Sequence, residues 1–505
     1  MSDVGVGSWI ERRSRITPDR PALIAGTRTS TYADLAARIR RLANGLRGLG
    51  VAPGDRIAWL GPNHPAFLES LFAAGQLGAV LAPVNHRLET DVRGSVLAQT
   101  EPVVLIEHAV EASTPAGSVR HRIAVGGPVE GSIDYETLVT GSPDRPVDAT
   151  VGLDDLLLLP HTSGTTGTPK AVMLTHGNVT WNAVNVVVSA GIRGDDVTVA
   201  IAPFFRVGGI GVNVLPTLFA GGTVVVPEDP TPDGLLTLME RHRATVGFAN
   251  PDLLDALLAV DRWPSADLAS LRFVLTGGAP VPERLIRVYL RRGVTLVQGY
   301  GLSEAAPVVL LLDAETALRK VGAAGRPPMF VDVRIVDADG IDVVTGQIGE
   351  LLVRGPNVMA GYWKLPEATR DRFVDGDWLR TGDAAHMDND GDAWIVDRLE
   401  ARFVVGDEIV YPGAVERVLL EHPSVADVGV VGLPGAATHA VALVVPIPGA
   451  QVSAEDLIAF SRDRLTTHQV PASIRFVDSL PRNAVGKLVR DRLPGLAADR
   501  PGPNG

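Results

Sequence analysis

Cysteine is absent from the 505-residue chain, which excludes disulfides, thiolate metal sites and a cysteine nucleophile. This absence fits a reducing compartment, and we expect a cytoplasmic protein. Basic residues are the minority among the charged ones, with 46 lysines and arginines against 58 acidic residues and a net charge of −12. We therefore expect no nucleic-acid binding through a basic face, although a locally basic pocket is compatible with this balance.

Long apolar runs are also lacking. The N-terminal stretch has no apolar core of the length that a signal peptide needs. The most apolar segment, residues 66–84, is interrupted by Glu69 and Gln76. It predicts a buried helix followed by a short strand, and no transmembrane segment.

What is present is an alternation of short β-branched runs with helical patterns, as in "GTVVVP" followed by "DGLLTLMERHR". Such alternation predicts βα units and largely parallel sheets. After about Gly322 the pattern changes to "VDVRIVDADG" and "GELLVRG", which predict antiparallel strands joined by turns. A further compact α/β pattern begins near Glu400.

The chain is too long for one ordinary core, so we expect more than one domain. The predicted fold class is α/β. A large N-terminal domain, residues 1–398, consists of layered βα sheets plus a small β subdomain. A smaller, mobile α+β C-terminal domain covers residues 399–495, and residues 496–505 form a disordered tail.

The segment "TSGTTGTPK", from Thr162 to Lys170, combines glycines, hydroxyl side chains and one lysine. Glycines let backbone N–H groups approach an anion closely, and hydroxyls add donors. A predicted strand precedes the segment, and a strand running into a helix follows it, which favours a phosphate-binding loop. The loop of the ordinary NTPases is excluded because Pro169 precedes the lysine. A flexible polar loop is the alternative.

Six segments, in order over nearly the whole chain, resemble the motifs of the adenylate-forming superfamily, which contains acyl-CoA synthetases, aryl-CoA ligases and luciferases. The pattern is most similar to that of bacterial fatty acyl-CoA ligases. Each segment alone is typical of a turn, a helix start or a solvated charge, and only their order makes the resemblance specific. The segments are "TSGTTGTPK", "QGYGLSE" (298–304), "GELLVRGPNVMAGYW" (349–363), "DWLRTGDAAHMDNDG" (377–391), "IVDR" (395–398) and "PRNAVGK" (481–487).

The resemblance implies an AMP-forming ligase that uses ATP and Mg²⁺ to adenylate an organic acid, releases pyrophosphate, and then transfers the acyl group to coenzyme A. Two anions must meet in the first step, so charge neutralisation and alignment supply most of the catalysis. Tyr300 would stack on adenine, Asp383 would hold the ribose hydroxyls with Arg398 nearby, and Lys487 would reach the α-phosphate and the acid. Glu304 and Thr165 would hold Mg²⁺.

By the same resemblance, the site residues divide into four groups. The catalytic group is Lys487, Thr165 and Glu304. The nucleotide group is Thr162, Ser163, Gly164, Thr166, Gly167, Lys170, Gly278, Ala279, Pro280, Gly299, Tyr300, Gly301, Ser303, Asp383, Ile395 and Arg398. The acid group is Phe205, Arg206, Gly208 and Gly277, and the hinge is Glu400.

Arg206 departs from the family pattern, because relatives usually carry histidine at this position. If its guanidinium faces the acid site, it would favour a substrate with a second anionic or strongly polar group, or a small anion such as nitrite. The alternative is that the side chain faces solvent.

Other departures lie in the C-terminal part. Asp407 and Ile409 stand where relatives carry glycine and asparagine, a Trp-Gly-Glu element after Pro434 is missing, and His468 and Gln469 replace a common Tyr-Lys pair. One interpretation is drift within a working CoA ligase. Another is an acceptor other than CoA, namely an amine or a carrier protein, with nitrite activation for diazotisation as a variant. A catalytically dead nucleotide-binding relative is a third, and the retained site residues argue against it.

Overall fold

A computed structural model of the chain describes residues 4–111, 119–147, 149–162, 169–279, 281–434, 438–482 and 488–498. Several helices of this part begin at favourable caps. Thr31 and Asp34 form a capping box at one helix start, and Pro65 opens another helix that ends at Gly78, whose φ is 67°. The helices are α1 (Trp9–Ile16), α2 (Tyr32–Gly48), α3 (Pro65–Leu77), α4 (Thr90–Thr100), α5 (Tyr135–Gly141), α6 (His176–Ala190), α7 (Val207–Gly211), α8 (Val214–Ala220), α9 (Pro232–Arg241), α10 (Pro251–Leu258), α11 (Glu283–Arg291), α12 (Ala314–Arg319), α13 (Pro366–Arg370), α14 (Pro412–Leu420), α15 (Ala454–Arg462) and α16 (Leu493–Ala498).

Two eight-stranded sheets form the body of the N-terminal part, and parallel neighbours dominate both. Their shared core includes the fully buried Trp59, Phe67, Phe72 and Phe204. The first sheet has the order β2-β1-β11-β10-β12-β13-β14-β15, with β1 (Pro21–Ala25), β2 (Arg28–Thr31), β10 (Val197–Val199), β11 (Thr223–Val226), β12 (Val246–Ala249), β13 (Phe273–Thr276), β14 (Thr295–Gly301) and β15 (Val308–Leu311). The second has the order β7-β6-β5-β3-β4-β8-β9-β18, with β3 (Arg56–Leu60), β4 (Val80–Val84), β5 (Val104–His108), β6 (His121–Val125), β7 (Ile133–Asp134), β8 (Leu156–Leu158), β9 (Val172–Thr175) and β18 (Gly361–Tyr362).

A smaller antiparallel sheet follows, as the change of pattern after Gly322 predicts. Short 3-10 turns connect several elements, and one of them, Leu399–Ala401, follows this sheet directly. The strands of the small sheet are β16 (Asp332–Val336), β17 (Gly349–Arg354), β19 (Phe373–Val374), β20 (Trp378–Met387) and β21 (Ala393–Arg398). The other 3-10 turns are Val6–Ser8, Ala109–Glu111, Trp263–Ser265, Ser303–Ala305 and Arg490–Arg492.

The C-terminal part has its own core, formed where α14 and α15 pack on a three-stranded sheet. A short hairpin precedes that sheet, and its turn contains Gly406, whose φ is 64°. The strands are β22 (Phe403–Val405) and β23 (Glu408–Val410) in the hairpin, then β24 (Val425–Leu433), β25 (His439–Pro446) and β26 (Ser473–Phe476).

The structure corrects one boundary and agrees with another expectation. Helix α16 runs to Ala498, so the expected disordered tail, 496–505, begins inside a helix; residues 499–505 lie outside the described ranges. The apolar segment 66–84 forms most of α3 and all of β4, as expected. Among the described helices, none combines the length and the apolar character needed to cross a membrane.

Candidate active site

Two glycine-rich strand ends lie side by side at the centre of the site. Strands β13 and β14 are parallel neighbours with Thr276 opposite Gln298, so residues 277–279 and 299–301 lie together beyond this pair. A Cβ on Gly277 would stand 2.5 Å from the carbonyl oxygen of Gly299, so only glycine fits there. Gly278 has a φ of 83° and is exposed, as is Ala279. The result is a bare backbone surface that a flat ligand can approach closely.

A buried carboxylate lies beside this surface. Asp383, which is 5% exposed, accepts a hydrogen bond from the Tyr300 hydroxyl at the end of β14. The Arg398 Nε lies 3.0 Å from the other oxygen of Asp383, because β20 and β21 pair these two residues directly. Burial and the charge of Asp383 raise the pKa of Tyr300 well above its ordinary value. Tyr300 therefore stays protonated, and it holds the carboxylate where a diol could bind.

A second polar cluster centres on Tyr362 of β18. Its hydroxyl donates to Glu304 Oε1 at 2.7 Å and accepts from Arg372 Nε at 3.2 Å. The Lys170 Nζ lies 5.2 Å from the centre of the Tyr362 ring. Burial and the Glu304 charge raise the pKa of Tyr362 to about 12. The loop-end lysine and the buried glutamate, far apart in sequence, are thus joined through one aromatic side chain.

Arg372 links the two clusters electrostatically. Its burial opposes the charged form, but the bond to Tyr362 and the charges of Glu304 and Asp383 together raise its pKa. A permanent cation therefore lies near both carboxylates.

Glu304 fits a magnesium ligand. It is 7% exposed, one oxygen is fixed by Tyr362, and the other has no partner among the described residues. One protein carboxylate completed by phosphate oxygens and water is a normal Mg²⁺ environment. Thr165, the expected hydroxyl ligand, falls in the undescribed range 163–168.

Phe205 and Arg206, two of the residues predicted to border the acid, lie in the segment before α7. The Asn63 side chain donates to the carbonyls of Ala200 and Ala202, at 2.9 Å each, and accepts from the Phe204 N–H at 2.8 Å. This clamp fixes the path of residues 202–206. Phe205 is buried, with the His86 ring 5.6 Å away and Arg87 Cζ 5.8 Å from its ring centre.

The space between Gly208 and Phe248, called the slot below, lies one turn further along. A Cβ on Gly208 would meet only the Phe248 ring, at 3.9 Å, so this glycine faces open space backed by an aromatic wall. Helix α7 contacts Pro307 through Gly211, and Pro307 contacts Gly301 in turn. The slot is therefore adjacent to the glycine-rich strand ends.

The structure places the remaining expected residues as follows. Thr162 donates its N–H to the Lys170 carbonyl at 2.9 Å, which joins the two ends of the predicted phosphate loop. Ile395 lies on β21, Ser303 starts a 3-10 turn, and Glu400 is exposed at the step between the two domains. Outside the described residues lie Ser163, Gly164, Thr165, Thr166, Gly167, Pro280 and Lys487.

Sequence reasoning missed several site residues. Tyr362 lies within the motif at residues 349–363, so the sequence did contain a signal for this residue. No sequence signal pointed to four others, because each reaches the site only through the pairing of distant strands and loops. They are His86, Arg87, Phe248 and Arg372.

Comparison with known proteins decides the family. The profile of the AMP-binding enzyme family matches residues 10–363, and that of the AMP-binding enzyme C-terminal domain matches residues 414–487. The chain belongs to the AMP-binding enzyme family. As a member it is an AMP-forming ligase of the acyl-CoA synthetase type, so the predicted family, fold class and enzyme class are confirmed.

Relatives of this AMP-binding enzyme span the whole chain. The feruloyl-CoA synthase of Amycolatopsis sp is 45% identical, with 98% of this chain and 99% of the relative covered. The anthranilate CoA ligase AuaEII, solved in complex with anthranoyl-AMP, is 25% identical with a TM-score of 0.90 and 98% of each chain covered. The o-succinylbenzoate CoA synthetase of Bacillus subtilis, solved with ATP and a magnesium ion, is 31% identical with a TM-score of 0.85, over 96% of this chain and 99% of that one. These relatives support adenylation of an acid followed by transfer to CoA.

Proposed function

We propose that this AMP-binding enzyme activates an aromatic carboxylic acid with ATP and transfers the acyl group to coenzyme A in the cytoplasm. One observation carries the proposal. The strand ends 277–279 and 299–301 lie between a polar cluster suited to a magnesium nucleotide and a slot walled by Phe248. The names of the feruloyl and anthranilate relatives support an aromatic acid.

In the first half-reaction, a carboxylate oxygen of the acid attacks the α-phosphorus of ATP. The bond to the β-phosphate breaks, and acyl-AMP and pyrophosphate form. The Asp383 carboxylate would accept hydrogen bonds from the ribose hydroxyls. Tyr300 and Arg398 would hold that carboxylate in place. Lys170 would neutralise phosphate charge, and Lys487 would do so at the α-phosphate. Bound Mg²⁺, held by Glu304 with Thr165, would neutralise phosphate charge and orient the leaving group.

In the second half-reaction, the CoA thiolate attacks the acyl carbonyl, the bond to AMP breaks, and the thioester forms. The domain junction at Leu399–Ala401 would let the C-terminal domain take a different position for this step.

The test is pyrophosphate release with ATP and Mg²⁺ over a panel of ferulate, anthranilate, benzoate, octanoate and nitrite, followed by thioester assay after CoA is added. We expect aromatic acids to be used at least about tenfold better than octanoate, since a flat ring fills the slot. Equal or better use of octanoate, or release with nitrite alone, would contradict the proposal.

A slot-blocking variant sharpens this test. Gly208→Val places branched carbons against Phe248 and should abolish use of aromatic acids while leaving ATP binding in place. Gly94→Val is the matched control, because the Cβ position of Gly94 on α4 has open space around it. Unchanged use of aromatic acids by Gly208→Val would exclude the slot as the acid site.

A second candidate is an acceptor other than CoA. Asp407 and Glu408 form an exposed acidic pair at the turn of the β22–β23 hairpin. Acidic side chains there would repel the phosphates of CoA and would tolerate an amine. This candidate would be favoured if acyl-AMP is stable in the presence of CoA and reacts with an added amine.

A further inference from the structure

The backbone of Arg372 is held between two strands that carry site residues. In the turn after α13, the Arg372 N–H donates to the Thr369 carbonyl at 3.1 Å. The Arg380 N–H on β20 donates to the Arg372 carbonyl at 2.8 Å. The Thr369 hydroxyl also accepts the Tyr362 N–H at 2.9 Å, which ties β18 to the same turn. Arg372 is therefore fixed between β18, which carries Tyr362, and β20, which carries Asp383.

The Arg372 side chain reaches both polar clusters of the site. Its Nε donates to the Tyr362 hydroxyl at 3.2 Å, and that hydroxyl donates to Glu304. A Cβ built on Gly382, the residue before Asp383, would lie 3.5 Å from the Arg372 Nη1. The guanidinium therefore contacts the cluster around Tyr362 and lies beside the backbone that leads into Asp383.

This guanidinium keeps donors that no carboxylate occupies. Its bonds go to the Tyr362 hydroxyl and, at 3.3 Å, to the Arg380 carbonyl, and both acceptors are neutral. The carboxylates of Glu304 and Asp383 lie near it, but within the described ranges it forms no ion pair with either of them. The side chain is also half-buried. A half-buried cation with free donors is stabilised by an anion that binds beside it.

The expected nucleotide would pass this guanidinium in a defined direction. The ribose is expected at Asp383 and the magnesium ion at Glu304. In a nucleoside triphosphate, the α-phosphate joins the ribose to the phosphates that carry the metal. A cation between the ribose position and the metal position would therefore lie beside the α-phosphate.

We propose that Arg372 binds the α-phosphate of the nucleotide and neutralises the charge that develops there during adenylation. A guanidinium is permanently charged, and its parallel N–H donors match two phosphate oxygens. It would act together with Lys487, which is predicted to reach the same phosphate from the C-terminal domain. This inference rests on the proposed function, because the same bound nucleotide is the substrate.

Binding of AMP and of adenosine to the full chain tests the proposal by titration calorimetry. EDTA is present throughout, so that a contribution of Mg²⁺ is removed. Only AMP carries the phosphate, so Arg372→Met should weaken AMP binding roughly 10- to 100-fold and change adenosine binding little. Arg372→Lys keeps a charge and should retain part of the AMP affinity.

A neighbouring arginine provides the matched control. Arg370 is exposed at the end of α13, and its nearest carboxylate is that of Glu367 at 3.9 Å. Arg370→Met should leave the affinities for AMP and adenosine at their wild-type values. If Arg372→Met fails to fold, Arg372→Gln takes its place, because glutamine keeps an N–H donor for the Tyr362 hydroxyl and still lacks the charge.

The outcomes separate this inference from the proposed function. An equal loss of AMP and adenosine affinity would show that Arg372 only maintains the shape of the site, which overturns the inference. Unchanged AMP affinity with weakened binding of pyrophosphate would place the arginine at the other phosphates and also overturns it. If AMP binding depends on Arg372 but the wild type releases no pyrophosphate with any aromatic acid, the inference stands and the proposed function is contradicted.

Discussion

At the scale of single residues, Tyr362 connects more of the site than any motif predicts. Its hydroxyl orients Glu304, its oxygen accepts from Arg372, and its ring lies under Lys170. A carboxylate that binds a metal gains from a second partner that fixes its orientation. We therefore expect Tyr362 to position Glu304 for the magnesium nucleotide of the proposed reaction.

Tyr362→Phe tests that role. The ring and its contact with Lys170 remain, and the bond to a charged carboxylate is lost. We expect kcat/KM for ATP to fall by roughly 5- to 50-fold, with a higher Mg²⁺ requirement. Steady-state pyrophosphate release against Mg²⁺ concentration measures both. Tyr289→Phe, which loses a bond to the Leu254 carbonyl far from the site, is the control. An unchanged Mg²⁺ dependence would refute the assignment.

Lys487 remains a prediction, because it lies outside the described residues. Its motif and the need for a cation at the α-phosphate both support a role in adenylation. Lys487→Ala should slow pyrophosphate release at saturating acid by about a hundredfold or more, or roughly 3 kcal/mol in the barrier. Lys364→Ala, at a surface lysine that pairs with Glu101, should be near wild type. A Lys487→Ala rate close to that of the control would disprove the role.

The site residues show how far single positions can be predicted. Asp383, Glu304 and Lys170 stand in motifs whose spacing carries chemistry, so the sequence identifies them as candidates, and their roles stay predictions. The path of the segment that carries Phe205 and Arg206 depends on the Asn63 clamp and on loop 85–88. Those contacts join residues more than a hundred positions apart, and no local pattern encodes them.

At the scale of elements, local patterns predicted several strands and helices, and the pairing of distant segments determined which of them meet at the site. β-branched alternation indicated β16 and β17 as antiparallel partners, which they are. No pattern indicated that Gly361 and Tyr362 would leave that subdomain and pair with β9 at the edge of an eight-stranded sheet. That pairing is what brings Tyr362 under Lys170.

The β22–β23 hairpin contains Asp407 and Ile409, two of the residues that depart from the family pattern. Its turn presents Asp407 and Glu408 to solvent, and the paired Val404 and Ile409 are 49% and 46% exposed. We expect Asp407→Gly to speed the CoA-dependent consumption of acyl-AMP several-fold, since one carboxylate facing a polyanion is removed. Pyrophosphate release without CoA should not change.

The salt dependence of that step provides the control. Repulsion between exposed charges is screened by salt, so the advantage of Asp407→Gly should shrink between low and high ionic strength. Asp339→Gly, at an exposed turn of the β subdomain, should have no effect on either half-reaction. If Asp407→Gly leaves the CoA step unchanged at low salt, the hairpin charge does not influence the acceptor.

At the scale of the whole molecule, the C-terminal part contacts the strand that precedes the predicted hinge. Asp397 accepts a hydrogen bond from the Gly413 N–H at 2.5 Å, and Arg417 donates to the Ile395 carbonyl at 2.9 Å. Arg490 lies 3.7 Å from Asp397 and is also paired with Glu416. A rotation at Leu399–Ala401 would break these polar contacts and form others. The net free-energy change of such an exchange is expected to be small.

Buried neutral histidines are distributed through the N-terminal part. Burial lowers the pKa of His64, His161 and His176 to about 4 in each case. His176 is fully buried, and its Nδ1 accepts the Val6 N–H at 2.9 Å, which ties the N-terminus to α6. Protonation at Nδ1 would break that bond and would leave a charge in the core.

These histidines predict acid instability with a definite sign. The unfolded chain binds a proton on His176 below its ordinary pKa of 6.5, and the native protein does not until about pH 4. The contribution of His176 to the unfolding free energy is therefore fully present above pH 6.5. It decreases as the pH drops from 6.5 to 4, and it does not change further below pH 4. At pH 5 the loss from His176 is about 2 kcal/mol. In urea titrations, His176→Asn should narrow the difference in unfolding free energy between pH 7.5 and pH 5 by that amount. If this difference in unfolding free energy is as large in His176→Asn as in the wild type, the histidine is already protonated or solvated in the native state.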